Sequence, residues 1–406
     1  MTRRDRTRDH AAPTARSRRI REAAAHEEQL RQRGIDPDAP PPDWDLRSWT
    51  ESGVAAAPRR GLPVRRVLAI AVLLILLVVI IGGILLFGRV SAFNDTVSEE
   101  PMLSSKLYGP LGGDERVNVV LFGYGGVEND GGNYLADSIQ ILSIDPATDT
   151  TTMIPVPRDF WVEGLPQIPD NGKINEAFAI GHARGGIPEA ARFTTEVLAA
   201  VTGLEIEHWM AMDFRGFRQM VDAVGGVTIT NPTAFYYTWS EENWSIQKWS
   251  GGLFETGTLH LDGTKALDYA RARYTSVPAE SSDFARSVRQ QRVLGALRTK
   301  LGGGGLGSLG PGLRMMDALE GRMQTNLSAL DLFLLSGHLN PDRRIELAEG
   351  VILEATSNTI GQYILVVIGR AASADYTPLQ TFLAAELAKP IPTPTPMPSS
   401  GASPSP

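Results

Sequence analysis

The chain opens with a long polar stretch, passes through one uninterrupted apolar run, and then alternates short apolar runs with amphipathic ones. Residues 67–87 carry no charge, and at 1.5 Å rise per residue a helix of that length reaches roughly 30 Å, the thickness of a bilayer's hydrocarbon core. One transmembrane helix is predicted. Val90-Ser91-Ala92 offers the small residues of a cleavage site, but the apolar run is too long, and the region before it too large, for a cleaved signal peptide. Further on, Val117-Asn118-Val119-Val120-Leu121-Phe122, the run from Ser138 to Ile144 and the run from Thr151 to Val156 read as strands covered on both faces. Asp145-Pro146 and Pro157 close the second and third. Pro188 opens a helix with Phe193, Val197 and Val201 on one face, ended by Gly203. A strand from His208 to Met212 follows. Asp213 then caps a helix whose Phe214, Phe217, Met220, Val221 and Val224 share a face, and Gly225-Gly226 stops it before the strand Val227-Thr228-Ile229. Helical patterning returns through Met315, Leu319 and Met323 and from Leu330 to Leu335, and Tyr363 to Ile368 reads as a closing strand. This alternation predicts an α/β fold: a central mixed β-sheet flanked by helices in three α/β/α layers, preceded by the transmembrane helix.

Charge sets the orientation. Arg59, Arg60, Arg65 and Arg66 precede the apolar run and Glu99 and Glu100 follow it, so the N-terminus is expected in the cytoplasm and the main domain outside the plasma membrane, as a single-pass protein. Five segments result: a disordered basic tail (1–66), the membrane helix (67–87), a stalk (88–114), an outward domain (115–389) and a disordered Pro-rich tail (390–406). Of the net charge of −7, residues 1–66 contribute +5, so the remainder is acidic. The interrupted arginines of the tail read as a solvated region rather than a patch for anionic lipid, and an acidic outer part is a poor nucleic-acid binder. The chain has no cysteine, which removes disulfides, thiolate nucleophiles and Cys-based zinc sites together. Between 232 and 258, Trp239, Trp244, Trp249 and Phe254 recur at a spacing that fits neither helix nor strand, beside Tyr236 and Tyr237. A lid or platform for sugar or lipid and a satellite core under a long loop both suit this run.

The candidate chemistry lies in arginines. Asp262 can cap a helix that places Arg271 and Arg273 near its end, and Arg286, Arg289 and Gln290 fall at i, i+3 and i+4 of the next helix. Like charges gathered on one face repel unless an anion lies between them, and guanidinium is the side chain that holds phosphate bidentately. Arg158, at the carboxyl end of the third strand, and Lys173 beyond it add cations where ligands of open α/β sheets bind; a local Arg158–Asp159 ion pair is the alternative. Asp137, at the start of the second strand, is the best candidate to hold a magnesium ion or accept a proton. No His-Glu-x-x-His, Gly-x-Ser-x-Gly or Gly-Lys-Ser/Thr motif occurs, which argues against proteolysis, esterase action and NTP hydrolysis.

From Val117 to about Leu301 the chain resembles the LytR-CpsA-Psr family of membrane-anchored cell-wall proteins. The resemblance rests on Asn118-Val119-Val120-Leu121-Phe122-Gly123, Ala136-Asp137-Ser138, Pro157-Arg158-Asp159, Lys173-Ile174-Asn175-Glu176-Ala177-Phe178, Asp213-Phe214-Arg215-Gly216-Phe217, Tyr269-Ala270-Arg271-Ala272-Arg273 and Arg289-Gln290-Gln291, in this order. It implies a phosphotransferase that passes a glycopolymer from an undecaprenyl-pyrophosphate carrier to a peptidoglycan hydroxyl with Mg2+ present. Arg158, Arg271, Arg273, Arg289 and Gln290 would hold the pyrophosphate, Asp137 would bind the metal, and Asp283 and Arg286 would support them. Asp137, Arg158, Arg271 and Arg273 are the expected catalytic set, with Lys173 an added contact. Two positions depart from the family pattern: Gly125 stands where an acidic residue is common and Leu135 where an Arg is, with Asp130 as a replacement carboxylate. Rival expectations are a polyprenyl-pyrophosphate hydrolase and a non-catalytic binding protein of the same family.

Overall fold

The computed structural model describes residues 15–39, 64–105, 116–127, 134–165, 171–238, 249–301 and 306–391. Two compact units divide the chain, Met1–Val78 and Val79–Pro406. Helix α1 (Ala15–Gln32) lies in the region expected to be without structure. Its Ala, Arg, Glu and Gln content favours helix with no core to bury, and the side chains described are almost all exposed. Helix α2 (Val64–Val97) contains the one stretch, Val72–Val97, long and apolar enough among the described residues to cross a membrane, and its apolar side chains are exposed from Val72 to Phe87. Its last turns already belong to the second unit: Val97 is buried in the core and Asn94 Oδ1 accepts from Ala329 N at 2.8 Å. The segment expected as a stalk therefore begins as packed helix.

The central sheet has six strands: β1 (Val117–Tyr124), β2 (Ala136–Asp145), β3 (Thr150–Pro155), β4 (His208–Asp213), β5 (Met323–Thr325) and β6 (Arg343–Arg344), in the order β5-β4-β1-β2-β3-β6. β1–β2 and β2–β3 pair antiparallel, β4 runs parallel to β1 and β6 parallel to β3, so the sheet is mixed. The apolar runs are explained by burial on both faces. Val120, Phe122, Ile141 and Ile154 pack toward helix α3 (Ile174–Thr202). Val119, Leu121, Leu142 and Met153 form a second cluster with Leu327 and Leu335. Pro188 opens only the second half of α3, which breaks at Gly185 and at Gly186 (φ 77°); the first half, from Ile174, was not anticipated.

Around this sheet lie α4 (Phe214–Ala223), α5 (Gly263–Arg271), α6 (Asp283–Leu301), α7 (Leu306–Leu319), α8 (Ala329–Ser336) and α9 (Thr377–Ala388). Asp213 caps α4 by accepting from Gly216 N at 2.6 Å, and Asp262 caps α5 by accepting from Lys265 N at 2.8 Å. The helix expected to run through Met323 stops at Leu319, because Gly321 (φ 67°) turns the chain into the edge strand β5. The strands at Val227 and Tyr363 stand outside the central sheet and pair antiparallel in separate two-stranded sheets with Gly257–Leu261 and Leu353–Ser357. Of the aromatic run, Tyr237 and Phe254 are buried with Phe235 and Tyr269, the satellite-core reading, while Tyr236 is part-exposed and Trp239 and Trp244 lie outside the described residues.

Candidate active site

Antiparallel pairing fixes where the chemistry gathers. Gly123 faces Ser138 and Gln140 faces Pro155, so the carboxyl ends of β1 and β3 and the amino end of β2 share one end of the sheet. Asp137 starts β2 there, and Arg158 follows β3. A cavity of about 830 Å3 opens at this end, lined by Asp137, Arg158, Lys173, Arg273, Arg286 and Gln290 among others. Arg158 Nη1 donates to Asp137 Oδ1 at 2.7 Å. Lys173 Nζ reaches Asp159 Oδ1 at 2.6 Å and Arg273 Nη2 reaches Asp159 Oδ2 at 3.2 Å, with Arg158 Nε 3.6 Å from the same oxygen. Arg286 Nη2 lies 3.1 Å from Asp283 Oδ1.

Asp159 is the anion around which these cations are arranged. Only 4% of its side chain is exposed. Burial pushes its carboxyl up, but the hydrogen bond from Lys173 and the fields of Arg158 and Arg273 outweigh that and hold it below the ordinary carboxylate range. In the sequence Asp159 stands out only as partner of a local ion pair, and the signal for a larger part is its place directly after the strand-end Arg158. Arg158 itself is shifted upward, since Asp137 and Asp159 together overcome the effect of burial. Arg286 is shifted the other way: burial lowers it, Asp283 opposes, and the neighbouring Arg158 and Arg273 lower it further. Four cations thus meet three carboxylates, Asp137, Asp159 and Asp283. A guanidinium keeps its charge under such stress, so an anion entering beside Arg286 relieves cation–cation repulsion.

Gln290 sits behind this group. Its Oε1 accepts from Gln140 Nε2 at 2.8 Å and from Ser138 Oγ at 3.1 Å, and its Nε2 donates to Ala270 O at 3.4 Å, which ties α6 to β2 and α5. Arg289 is not at the cavity. It is fully buried, with Nε donating to Tyr269 O at 2.9 Å, Nη1 to Glu280 O at 2.9 Å and Glu280 Oε2 at 2.7 Å, and Nη2 to Ala272 O. The expectation that Arg289 joins Arg286 on a ligand-facing side is corrected by helix geometry: i+3 and i+4 diverge by about 100°, and only Arg286 and Gln290 of the three line the cavity. Arg271 stands over the same end of the sheet but outside the cavity lining, its guanidinium 4.1 Å above the Phe214 ring where β4 runs into α4. Asp130 falls outside the described residues, and among those described no three acidic or histidine side chains converge as a metal-binding group. Asp137 offers one carboxylate at the cavity, one of whose oxygens takes Arg158.

Compared with known proteins, residues 90–370 match the LytR_cpsA_psr family. The chain belongs to this family. One relative, a polyisoprenyl-teichoic acid–peptidoglycan teichoic acid transferase TagU of Oceanobacillus iheyensis, is 32% identical over 267 residues, which are 63% of this chain and 75% of the relative. The Enterococcus faecalis protein of that name is 26% identical over 267 residues, 64% of this chain and 78% of its own length. The crystal structure of B. subtilis TagV superposes with a TM-score of 0.50 at 21% identity, covering 67% of this chain and 96% of that one, a likeness of fold. Both family membership and the mixed sheet flanked by helices therefore agree with the reading of the sequence.

Proposed function

We propose that this family member is a membrane-anchored phosphotransferase that moves a glycopolymer from a polyprenyl (undecaprenyl) pyrophosphate carrier to a peptidoglycan hydroxyl. The supporting observation is the gathering of Arg158, Lys173, Arg273 and Arg286 in one cavity at the strand ends. Two phosphates carry enough charge to displace the acidic partners these cations hold in the free protein, and Arg158 and Arg273 already present nitrogens to one and the same Asp159 oxygen. In the reaction the acceptor hydroxyl oxygen bonds to the glycan-linked phosphorus, the bond to the bridging oxygen breaks, polyprenyl phosphate leaves, and the hydroxyl proton passes to water. The chain's residues hold the diphosphate, orient it and offset charge that spreads over its oxygens. Asp159 and Gln290 position; Arg271, at the border of the same sheet end, would meet the part of the ligand that extends past β1.

Mg2+ ordinarily keeps several waters and takes one or two carboxylates together with substrate phosphates, a donor set that Asp137 and the diphosphate would provide. When bound, the ion supplies further charge stabilisation to the transferring group. The exposed apolar length of α2 would anchor the chain where a polyprenyl carrier is concentrated, and the arginines before it would place the domain on the outer face.

The test is turnover by the full chain in detergent with a lipid-linked glycopolymer, peptidoglycan and Mg2+. Polyprenyl phosphate release together with a new phosphodiester on peptidoglycan, seen by 31P NMR, is expected, and Arg158→Ala should reduce both roughly hundredfold. Release of free phosphorylated glycan at the same rate without peptidoglycan would identify a hydrolase instead, and binding without product a non-catalytic protein.

A further inference from the structure

The cavity has a second charged wall that the diphosphate end does not use. β6 pairs with β3 through Arg344 opposite Met153, beside the strand that leads to Arg158. Pleating sends successive side chains to opposite faces: Arg343 donates to Thr152 Oγ1 at 3.1 Å on one side, and Arg344 turns to the other, into the cavity lining. There its guanidinium lies 5.0 Å from the centre of the Phe284 ring, at the start of α6. Only 11% of the Arg344 side chain is exposed. Nε stands 3.5 Å from Glu346 Oε1 without a hydrogen bond, and both Nε and Nη1 are buried with no hydrogen-bond partner among the described residues.

This differs from the other end of the cavity. Arg158, Lys173 and Arg273 each donate a hydrogen bond to a carboxylate within 3.2 Å, and Arg286 lies 3.1 Å from one. Although Arg158 Nε is also buried without a hydrogen-bond partner, its Nη1 is held by Asp137, whereas Arg344 has no such carboxylate bond among the described residues. A buried guanidinium with unfilled donors costs stability unless something else completes it. Burial indeed lowers the Arg344 pKa, with Glu346 opposing only in part. At about 830 Å3 the cavity is of a size that takes a large ligand, and Glu346, the ion-pair neighbour of Arg344, lines it together with Glu349 and Tyr363.

We infer that Arg344 is the centre of a second anion subsite, which binds a phosphate or carboxylate borne by the ligand or acceptor apart from the diphosphate. Two sources share this chemistry: a phosphodiester on the donor glycan and a carboxylate on the peptidoglycan acceptor. Phe284 packs against the guanidinium, and Glu346 limits the subsite to groups that compete for the fork. The inference rests on the diphosphate reading of the cavity.

Its test is a binding cycle on the full chain in detergent, wild type against Arg344→Gln. The probes are farnesyl pyrophosphate, a farnesyl-diphosphate disaccharide with and without a glycerol phosphate, and muramyl dipeptide added to protein saturated with farnesyl pyrophosphate. In wild type, the added phosphate or the free carboxylate at the end of the muramyl dipeptide should tighten binding by about tenfold, the value of one charge-assisted contact; Arg344→Gln should abolish that gain. Loss of the gain in the disaccharide pair names the donor glycan, and loss with muramyl dipeptide names the acceptor. Persistence of both gains in Arg344→Gln, or no gain in wild type, overturns the inference. A structural role is separated by melting: removing a buried, underbonded charge should leave the melting temperature unchanged or raised, and a clear fall would count against the subsite. If wild type does not bind farnesyl pyrophosphate at all, the diphosphate reading itself has failed.

Discussion

At the scale of single residues, the chain uses one side-chain type for two purposes. Arg286 and Arg289 are one helical turn apart, yet the first lines the cavity and the second holds the α5-to-α6 connection by donating to three main-chain carbonyls. Arg289→Ala should lower unfolding free energy by about 3–5 kcal/mol, because it strands those carbonyls and the Glu280 carboxylate in the interior. Chemical denaturation reads this directly, and a loss below about 1 kcal/mol would contradict the structural assignment. Sequence could show that these arginines share a helix but not which is covered, since coverage depends on the loop from Ala272 to Glu280 folding over it. Asp159 shows the same limit, because its partners Lys173 and Arg273 lie far apart in sequence and meet only in the fold. Its folded pKa is depressed, so its contribution is fully present above the unfolded carboxylate value of about 3.9 and is lost as pH falls through the folded one. Melting temperature should therefore drop steeply below about pH 4 in the wild type. Asp159→Asn should be about 3 kcal/mol less stable at neutral pH and show a shallower acid limb; equal limbs would contradict this account.

At the scale of elements, the strands that position the site were legible and the peripheral pairing was not. Long apolar runs define β1, β2 and β3, the last two with Asp-Pro and proline stops, and side-chain caps at Asp213 and Asp262 define two helix starts. The two-residue strand at Arg343–Arg344 carries no periodicity to read, because it becomes a strand only by lying against β3. Helix packing adds a requirement on α5. A Cβ at Gly263 would stand 2.1 Å from Arg218 O, main chain that cannot swing aside, and Gly263 N donates to Asp222 Oδ1 at 2.7 Å. Gly263→Ala should force α4 and α5 apart, costing about 2 kcal/mol or more, and should weaken diphosphate binding because α5 leads into Arg271 and Arg273. Unchanged melting with unchanged binding would show that the contact is not needed.

At the scale of the whole molecule, an exposed apolar helix leads into a domain whose cavity gathers Arg158, Lys173, Arg273, Arg286 and Arg344 from separate parts of the chain. Family membership and fold class were readable because several short motifs recur in a fixed order, and those that contain Asp137, Arg158, Lys173, Arg273 and Gln290 line the cavity. The lining from Arg344 and from Glu346 to Glu349 was not, since it belongs to no motif and meets α6 only in the fold, where Arg344 lies over Phe284. On the proposed function, Arg273 and Arg286, from different helix ends, grip one diphosphate. Calorimetric titration of the full chain in detergent with farnesyl pyrophosphate tests it most directly. Arg273→Ala and Arg286→Ala should each weaken binding by about tenfold or more, with the double variant losing less than the two effects combined; binding as tight as wild type in both single variants would contradict it.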